Sequence, residues 1–416
     1  MSDLWNVDVA LDRILQGITP LPAERISLPD SLDRVLAEGI YAQANLPPFA
    51  NSSMDGYAVR SSDTTDARRD HPVSLRVNMD IPAGTAADCG VGQGEAARIM
   101  TGAPMPPGAD AVIPVEYTDA SWCPAGHVAL PSTVRIYRNA QPGENVRQIG
   151  EDIRAGQLVL PVGTLLRAQE IGVLASLGYM YVPVSRQPRV AILSTGDELA
   201  DLDEPLTPGK IHDSNSYTLA ALVKTFHGIP IRLPIARDNL DDVRRRFNEA
   251  LAQRPDVILS SAGVSVGAFD VVRAVLEEIG KIEFWRINLR PGKPLAYGSI
   301  RGVPFFGLPG NPVSAMVTFD VFVRPVLCRM GSRPESTAMI GVLTGEDIHS
   351  DGRRSYLRVK LSNEDGQLIA RLTGTQSSGV LSSMVLADGL LIVPEGATHV
   401  PAGSQLQVRL LRYINQ

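Results

Sequence analysis

The sequence predicts an α/β-plus-β chain of several domains, in which a doubly wound α/β domain lies between β-rich segments. The chain has 416 residues, more than one ordinary compact domain holds, which indicates two to four domains. From Pro188 to Gly331, apolar strands alternate with amphipathic helices, as is typical of a parallel sheet with helices on both faces. Before and after this part, short apolar runs are separated by glycine, proline and aspartate turns, which is typical of β-structure.

The N-terminal part is predicted to hold one helix followed by a β-rich module. Apolar residues recur at helical spacing from Val7 to Ile18, and residues 17–20, with a glycine and a proline, end that pattern. Between about Leu46 and Ile149 we expect strands without a convincing helix. The clearest apolar runs there are residues 73–77, 109–115 and 132–137.

The elements after Pro188 follow one another in strand–helix order. They are a strand at 189–193, a helix at 214–228, a strand at 229–236, a helix at 238–253, a strand at 256–260, a helix at 269–280, and strands at 285–289, 295–300 and 303–308. Ser214 or Ser216 is the expected N-cap of the first of these helices, with Gly228 near its C′ position.

A long helix and a C-terminal β-domain complete the chain. Asn311 is the expected N-cap of this helix, and Pro312 is its expected first residue. After Gly331 the apolar runs shorten again and predict a separate β-domain. Its strands are residues 355–361, 367–372, 389–394 and 405–411.

Composition and charge exclude several classes of function. The net charge of −6 argues against a general nucleic-acid binder, because phosphate backbones require clustered lysine and arginine. We expect no membrane span, since no apolar run is long enough, and no signal peptide, since the first residues lack its basic and apolar segments. Cys89, Cys123 and Cys328 are far apart and odd in number, so we expect no disulfide framework and no zinc site. These features favour a cytoplasmic protein.

Three loops of the α/β part carry residues that we expect to bind a ligand. Residues 194–198, 260–270 and 308–312 each follow a strand and are rich in glycine, hydroxyl or carboxylate groups. The carboxyl ends of parallel strands meet at one edge of a sheet, where glycine N–H groups and hydroxyls can cradle phosphate. Each loop alone could be an ordinary capped turn, but three at one edge favour a binding site.

Charged residues near this edge suggest two kinds of anion contact. Glu198, Asp213 and Asp270 would repel a phosphate unless a hard cation such as Mg²⁺ lay between them. Each could instead cap a helix, which is the expected role of Asp213 taken alone. Arg290 and Lys293 belong to a stiff Arg-Pro-Gly-Lys-Pro turn that suits oxyanion binding, and the alternative is a surface turn with a solvated lysine.

These motifs, in this order, resemble the molybdopterin molybdenumtransferase family, which includes the MoeA proteins and the E domain of gephyrin. The resemblance covers essentially the whole chain and rests on residues 47–58, 99–103 with 107–112, 143–147 with 150–153, 194–199, 212–215, 263–270, 290–298 and 306–315. It implies an elongated chain of four parts. These would be a segmental linker domain at 23–44 and 153–186, a β-rich domain at 45–152, a molybdopterin-binding α/β domain at 1–22 and 187–329, and a C-terminal β-domain at 330–416.

The family resemblance also implies an activity. Family members are typically homodimers, in which the β-rich domain of the partner subunit completes the cleft. They insert molybdate into adenylylated molybdopterin in a Mg²⁺-dependent reaction that yields molybdenum cofactor and releases AMP. A handover from the molybdopterin adenylyltransferase would supply the substrate. The sequence leaves three alternatives open: tungstate as the oxyanion, a diverged paralogue acting on a related nucleotide, and a non-catalytic scaffold that binds the cofactor.

Carried over by motif, the resemblance assigns a metal site and a catalytic set. Glu198 and Asp270 would hold the metal. Asp55, Thr101 and Asp152 would reach the cleft from the partner chain, and Lys293 would complete the catalytic set. The retained charges argue against a scaffold, which has no need of them. No nucleophilic side chain is expected, because positioning and electrostatics can supply most of the rate.

The resemblance assigns substrate-binding residues as well. Arg290 and Lys293 would receive molybdate, aided by Arg358 and Ser377. The other expected substrate-binding residues are Ser194, Thr195, Gly196, Asp213, Asn215, Gly263, Ser265, Gly267, Pro309, Gly310 and Asn311.

Three positions depart from the family pattern. Ala262 lies where many members have a second glycine, Asp388 where asparagine is frequent, and Arg290 where lysine is common. Arginine offers a planar fork instead of a point charge, so the geometry of the oxyanion contact is expected to differ.

Overall fold

A computed structural model of the chain describes residues 4–120, 129–261, 269–334 and 339–411. Its α-helices are α1 (Val7–Gln16), α2 (Ala168–Ser176), α3 (Ser214–Thr225), α4 (Leu240–Ala252), α5 (Phe269–Ile279), α6 (Pro312–Thr318), α7 (Arg324–Met330) and α8 (Ser382–Leu386). A π-helical turn, Phe319–Val323, joins α6 to α7, and 3-10 turns cover Leu28–Ser31, Ser61–Thr64 and Val115–Tyr117. Within the described ranges, no helix has the length and apolar character needed to cross a lipid bilayer.

The strands of the first half are short. They are β1 (Ala23–Ser27), β2 (Ile40–Tyr41), β3 (Asn51–Ser52), β4 (Gly56–Val59), β5 (Val73–Ile81), β6 (Glu95–Ile99), β7 (Ala111–Pro114), β8 (Thr133–Ile136), β9 (Val146–Arg147), β10 (Leu158–Leu160) and β11 (Tyr181–Ser185). Those of the second half are β12 (Arg189–Ser194), β13 (Leu199–Ala200), β14 (Ile211–His212), β15 (Ile229–Arg232), β16 (Val257–Ser261), β17 (Gly280–Arg286), β18 (Leu289–Arg290), β19 (Pro294–Ile300), β20 (Val303–Leu308), β21 (Met339–Thr344), β22 (Ile348–His349), β23 (Arg354–Glu364), β24 (Gln367–Leu372), β25 (Gly389–Val393), β26 (His399–Val400) and β27 (Gln405–Leu410).

Contacts divide the chain into two compact units. The N-terminal unit comprises residues 25–183, and the C-terminal unit comprises residues 1–24 with residues 184–416. The finer division into four domains stays a prediction.

The N-terminal unit contains a five-stranded sheet in the order β7-β4-β6-β5-β8. β4 pairs antiparallel with both β6 and β7, and its residues Tyr57 and Val59 pack into the core of the sheet. A Cβ atom at Gly56 would lie 2.0 Å from the carbonyl oxygen of Ile113, so this paired position requires glycine. The expected β-rich module without an α-helix is confirmed for the described residues between Leu46 and Ile149.

The C-terminal unit contains a six-stranded sheet in the order β15-β12-β16-β20-β19-β17. β15, β12, β16 and β20 are parallel. Successive residues of β12 point to opposite faces: Val190 packs with α1 and α3, whereas Ala191 packs with α4 and α5. Apolar clusters therefore cover both faces, which confirms the predicted doubly wound α/β domain.

The expectation that the whole sheet is parallel is wrong at one edge. β19 is antiparallel to β20, and β17 is antiparallel to β19. The cause is local, because Arg301 and Gly302 have φ angles of 48° and 85° and form a two-residue hairpin loop between β19 and β20. A two-residue loop can connect antiparallel neighbours, but it is too short to connect parallel ones.

The ends of two helices also differ from the prediction. The N-cap of α3 is Asp213, whose carboxylate accepts a hydrogen bond from the Ser216 N–H at 3.0 Å, and neither serine caps the helix. At the other end, His227 takes the positive φ of 59° at the C′ position, and Gly228 follows it. The cap of α4 is Asn239, so Asp238 lies outside the helix.

The predicted long helix extends from Pro312 to Met330 and contains the π turn. Asn311 is its N-cap by position but makes no side-chain capping bond. Within the π turn, Asp320 accepts a hydrogen bond from Arg409 of β27 at 2.6 Å and lies 3.3 Å from Arg324. This largely buried cluster joins the helix to the C-terminal strands.

The C-terminal strands close into a barrel. β23, β24, β21, β27 and β25 pair in that order, and β25 pairs back to β23. The predicted strands at 355–361, 367–372, 389–394 and 405–411 are all present in it, whereas β21 was missed. β18 pairs parallel with the start of β23, which ties the α/β part to the barrel.

Candidate functional site

A cavity of about 890 Å³ lies in the C-terminal unit, where β12, β16 and β20 end. Eleven of the residues predicted from the sequence line it: Thr195, Gly196, Glu198, Asp213, Asn215, Arg290, Lys293, Pro309, Gly310, Asn311 and Ser377. The parallel strands bring the first and third of the predicted loops to the same edge of the sheet, as expected.

In the loop after β12, Gly196 leaves room for the exposed side chain of Glu198. The Gly196 N–H donates to the carbonyl of Ala236 at 3.1 Å, and Gly196 has a φ of 152°. A Cβ atom at this glycine would lie 2.6 Å from Oε2 of Glu198. Any larger residue at position 196 would displace the Glu198 carboxylate from its present position, and the φ angle favours glycine.

Three polar side chains beside the cavity are buried and incompletely bonded. The hydroxyls of Ser194 and Thr195 have no hydrogen-bond partner among the described residues. Asn215 donates from Nδ2 to the Gly310 carbonyl at 2.7 Å, but its Oδ1 is equally without a partner. Buried polar atoms usually find a partner, so these atoms are suited to ligand contacts. Thr195 and Asn215 line the cavity, whereas Ser194 does not.

Asp238 lines the cavity but was not predicted as a site residue. It lies beside Asp197, since each backbone N–H approaches a carboxylate oxygen of the other residue at 3.4 Å. Burial raises the pKa of Asp238, and the nearby carboxylates of Asp197 and Glu198 raise it further. The sequence placed Asp238 in a helix. Its position just beyond the strand predicted at 229–236 was the signal that could have identified it.

Glu198, Asp213 and Asp238 form what we call the acidic side of the cavity. Asp213 is buried as the cap of α3, which confirms the helix-cap interpretation of this residue. Among the described side chains, no three histidine, cysteine or carboxylate groups already converge as a metal-binding set. The side chain of Asp270, the second predicted metal ligand, lies outside the described residues, as do Ala262, Gly263, Ser265 and Gly267.

Arg290, Lys293 and Arg353 form the cationic side of the cavity. The first two belong to the predicted turn, where Gly292 has a φ of 118° and the Lys293 carbonyl accepts from the Ile287 N–H at 3.0 Å. Arg353, from the turn before β23, was missed, because its approach depends on the pairing of β18 with β23.

Ser377 lies on a barrel loop that α6 holds in place. Asn311 donates from Nδ2 to Oγ of Ser378 at 2.9 Å, and the Val313 N–H donates to the Ser378 carbonyl at 3.2 Å. The hydroxyl-rich loop 375–379 is thereby brought to the cavity wall.

Arg358 lies behind this loop and does not line the cavity. It is fully buried, and it donates to the carbonyls of Thr375 and Ser377 at 3.4 and 3.0 Å and to Oγ of Ser383 at 3.1 Å. Burial lowers its pKa, and the charge of Arg290 lowers it further. Arg358 supports the loop through these bonds. Its Nη1 has no hydrogen-bond partner among the described residues, and its predicted contact with the oxyanion stays a prediction.

Asp55, Thr101 and Asp152 belong to the N-terminal unit. The Thr101 N–H and hydroxyl both donate to Oδ1 of Asp55, at 2.7 and 2.9 Å. Thr101 and Asp152 are exposed, whereas Asp55 is half-buried, and the Asp152 N–H donates to the Leu46 carbonyl at 3.0 Å. The contact between the first two residues was not predicted from the sequence, and the role of all three stays a prediction.

Family models match nearly the whole chain. Residues 5–178 match the MoeA N-terminal region (domains I and II), residues 191–329 a probable molybdopterin binding domain, and residues 342–411 the MoeA C-terminal region (domain IV).

Individual relatives agree with these matches. A molybdopterin molybdenumtransferase of Nostoc sp. is 39% identical over 383 residues, which are 90% of this chain and 86% of the relative. The enzyme of the same name from Haemophilus influenzae is 34% identical and covers 99% of this chain and 100% of its own. A crystal structure of the molybdopterin biosynthesis MoeA protein from Pyrococcus horikoshii superposes with a TM-score of 0.83 at 32% identity, covering 99% of this chain and 100% of that one. The chain therefore belongs to the MoeA family of molybdopterin molybdenumtransferases, the transferases of molybdenum cofactor biosynthesis.

Proposed function

We propose that this enzyme inserts molybdate into adenylylated molybdopterin in a Mg²⁺-dependent reaction that releases AMP and yields molybdenum cofactor. The observation that carries the proposal is the division of one cavity into an acidic and a cationic side. Both substrates are anions, so a site that joins them needs cationic groups for one and charge compensation for the other.

The acidic side fits a hard divalent cation. Its donors are carboxylate oxygens, supplemented by the unpartnered hydroxyl of Thr195, and oxygen donors are those that Mg²⁺ prefers. Burial and the neighbouring carboxylates raise the pKa of Asp238, so a cation bound nearby would favour its charged form. We propose that Glu198 holds the metal with Asp270, and that Asp238 takes part. When bound, Mg²⁺ would offset phosphate charge and make adenylate a better leaving group.

The cationic side would hold the molybdate. Lys293 is exposed and has no ion pair among the described residues, and Arg290 is half-exposed, so both can turn towards an incoming oxyanion. Ser377 adds a hydroxyl donor from the loop that Arg358 supports. These residues bind and orient the reactants, and the proposal needs no nucleophilic side chain. Tungstate has the same charge and shape, and competition between the two oxyanions would establish the preference.

Assembly and location are proposed from the family resemblance and the composition. We propose a cytoplasmic homodimer in which Asp55, Thr101 and Asp152 of one subunit complete the cavity of the other, with substrate handed over by the molybdopterin adenylyltransferase. The contact between the exposed Thr101 and the half-buried Asp55 supports this, since both side chains retain surface that a ligand can reach. Light scattering should return twice the chain mass of 44.7 kDa at working concentration, and a monomer would contradict the shared cavity.

The direct test is AMP release from adenylylated molybdopterin by the purified protein, with Mg²⁺ and micromolar molybdate. We expect release that depends on both ions. No AMP above a metal-free control would contradict the proposed reaction.

A further inference from the structure

One histidine of the cavity has no role in the proposed reaction. His212 ends β14, is half-buried, and lines the cavity next to the cap of α3. Resting on the proposed function, we propose that His212 recognises the ring system of the substrate, and that its Nε2 accepts a hydrogen bond from an amino group of a nitrogen heterocycle. That heterocycle is the pterin or the adenine, since each carries an amino group on its ring.

The contact of the His212 ring determines which of its nitrogens carries the proton. Nδ1 lies 3.2 Å from the Asp201 carbonyl, and a carbonyl oxygen can only accept a hydrogen bond. Nδ1 is therefore the donor, and in a neutral imidazole the other nitrogen is then an acceptor. Among the described residues, Nε2 of His212 has no hydrogen-bond partner. His212 thus brings a free acceptor to the cavity wall.

Backbone pairing places His212 beside the carbonyl that it binds. β13 and β14 pair through Ala200 and His212, so Asp201 directly follows the residue opposite the histidine. The Asp213 N–H donates to the Ala200 carbonyl at 3.0 Å and extends this pairing beyond the histidine. The ring and its backbone partner are therefore in place before a ligand binds, which reduces the entropy lost on binding.

The side chain of Asp201 is held as well. Its Oδ1 accepts a hydrogen bond from the Tyr217 hydroxyl at 2.7 Å, and Nη2 of Arg232 lies 3.4 Å from the same oxygen. The guanidinium carbon of Arg232 lies 3.5 Å from the centroid of the Tyr217 ring, and its Nε donates to Oγ of Ser216 at 3.0 Å. Tyr217 is therefore a positioning residue, which acts on His212 through Asp201.

A second acceptor lines the same cavity. Oδ1 of Asn215 is buried without a partner among the described residues, while its Nδ2 donates to the Gly310 carbonyl. The described lining therefore includes two uncharged acceptor atoms that are suited to N–H donors. The amino groups of a heterocycle supply such donors, whereas the oxygens of an oxyanion supply none. The two acceptors therefore favour contact with the ring system of the substrate.

The test asks whether His212 selects rings that carry an amino group. Fluorescence titration measures the binding of pterin and of lumazine, in which an oxygen replaces the 2-amino group. Equilibrium dialysis measures the binding of AMP and of inosine monophosphate, in which an oxygen replaces the 6-amino group. The ratio of the two affinities in each pair reports on recognition of the ring, because a general loss of stability or charge affects both members of the pair alike.

Four variants of the full chain are compared with the wild type. His212→Phe keeps a ring without the acceptor, and His212→Gln supplies an acceptor oxygen at similar reach. Tyr217→Phe removes only the hydroxyl that binds Asp201. His349→Phe is the matched control, because His349 is an exposed histidine of the barrel and does not line the cavity. Thermal unfolding checks the fold of each variant.

We expect the wild type to prefer the amino-substituted ring of one pair by about fivefold or more, because the analogue sets an oxygen against the acceptor and loses one hydrogen bond. His212→Phe should abolish that preference, and His212→Gln should restore part of it. Tyr217→Phe should reduce it by less than His212→Phe does, and His349→Phe should keep the ratios of the wild type. Loss of the preference for pterin assigns His212 to the pterin, and loss of the preference for AMP assigns it to the adenine.

Three results would overturn the inference and leave the proposed reaction intact. The first is a wild type that binds both members of each pair equally well. The second is a preference that His212→Phe leaves unchanged, and the third is an equal loss of preference in His349→Phe. Wild-type protein that binds none of the four probes would instead contradict the proposed function and this inference together.

Discussion

The acidic and cationic sides of the cavity are built in different ways. On the acidic side, Glu198 and Asp213 lie within a few residues of β12 and α3, and local backbone bonds fix the loop between them. On the cationic side, Arg290 and Arg353 are distant in sequence and meet because β18 pairs with β23. The acidic side therefore depends on the edge of the sheet, whereas the cationic side depends on how the barrel joins the sheet.

This difference indicates separate tasks. A set of carboxylates placed side by side at one sheet edge suits a small cation that prefers oxygen donors. Side chains on long stems, half-exposed and drawn from two parts of the fold, suit an oxyanion that must enter and react. Substitutions on the acidic side should therefore affect metal-dependent turnover, whereas those on the cationic side should affect the concentration of oxyanion required.

The largest expected effect comes from Glu198→Gln. Loss of the carboxylate should lower Mg²⁺-dependent AMP release by about a hundredfold or more, the range found when one key electrostatic group is removed. The rate of AMP release, measured over a range of Mg²⁺ concentrations, tests this expectation. Asp203→Asn, in the exposed loop after β13, is the matched control and should behave as the wild type. Equal rates of AMP release for Glu198→Gln and the wild type would contradict the proposed metal role of Glu198.

Gly196→Ala should have a large but smaller effect. The added Cβ would meet the Glu198 carboxylate at 2.6 Å, and the φ of 152° is strained for alanine. Displacement of this carboxylate should lower AMP release by about tenfold or more, since small misplacements of catalytic groups are costly. Gly209→Ala is the control, because Gly209 also has a positive φ, of 85°, but no atom lies within 4 Å of its added Cβ. Similar losses in both variants would show that backbone strain alone is responsible.

Lys293→Ala should raise the concentration of molybdate that the reaction requires. We expect the molybdate concentration for half-maximal rate to rise about tenfold, the effect of one lost charged hydrogen bond, with little change at saturation. Lys281→Ala, on the exposed part of β17, should leave the curve unchanged. A normal molybdate dependence in Lys293→Ala would contradict the division between the two sides.

The smallest expected effect is that of Asp238→Asn on the stability of the fold. The pKa of Asp238 is raised in the fold, so the stability linked to its protonation is present at low pH and is lost as pH rises through that pKa. At pH 7 without metal, Asp238→Asn should raise the free energy of unfolding slightly, by no more than about 0.5 kcal/mol. Urea unfolding should show this advantage disappear at low pH. Saturating Mg²⁺ should stabilise the wild type more than the variant, and identical responses would remove Asp238 from the metal site.

The sequence predicted the parts of this molecule that depend on local pattern. The strand order that brings residues 194–198 and 308–312 together follows from βαβ topology, and the capping role of Asp213 follows from its place before α3. Arg353 and the burial of Arg358 could not be predicted, because they depend on the docking of the barrel strands against β18. The antiparallel edge was signalled by Arg301-Gly302, a short turn that accommodates positive φ, but its significance was missed.

The π turn between α6 and α7 has a consequence for recombination between relatives. It places Asp320 where the carboxylate binds Arg409 of the barrel, while the start of the same helix anchors loop 375–379 through Asn311. A chimaera that exchanges the barrel at the end of α7 would separate both pairs of residues. Barrels are therefore expected to be interchangeable among family members only when Asp320 with Arg409, and Asn311 with Ser378, are inherited together.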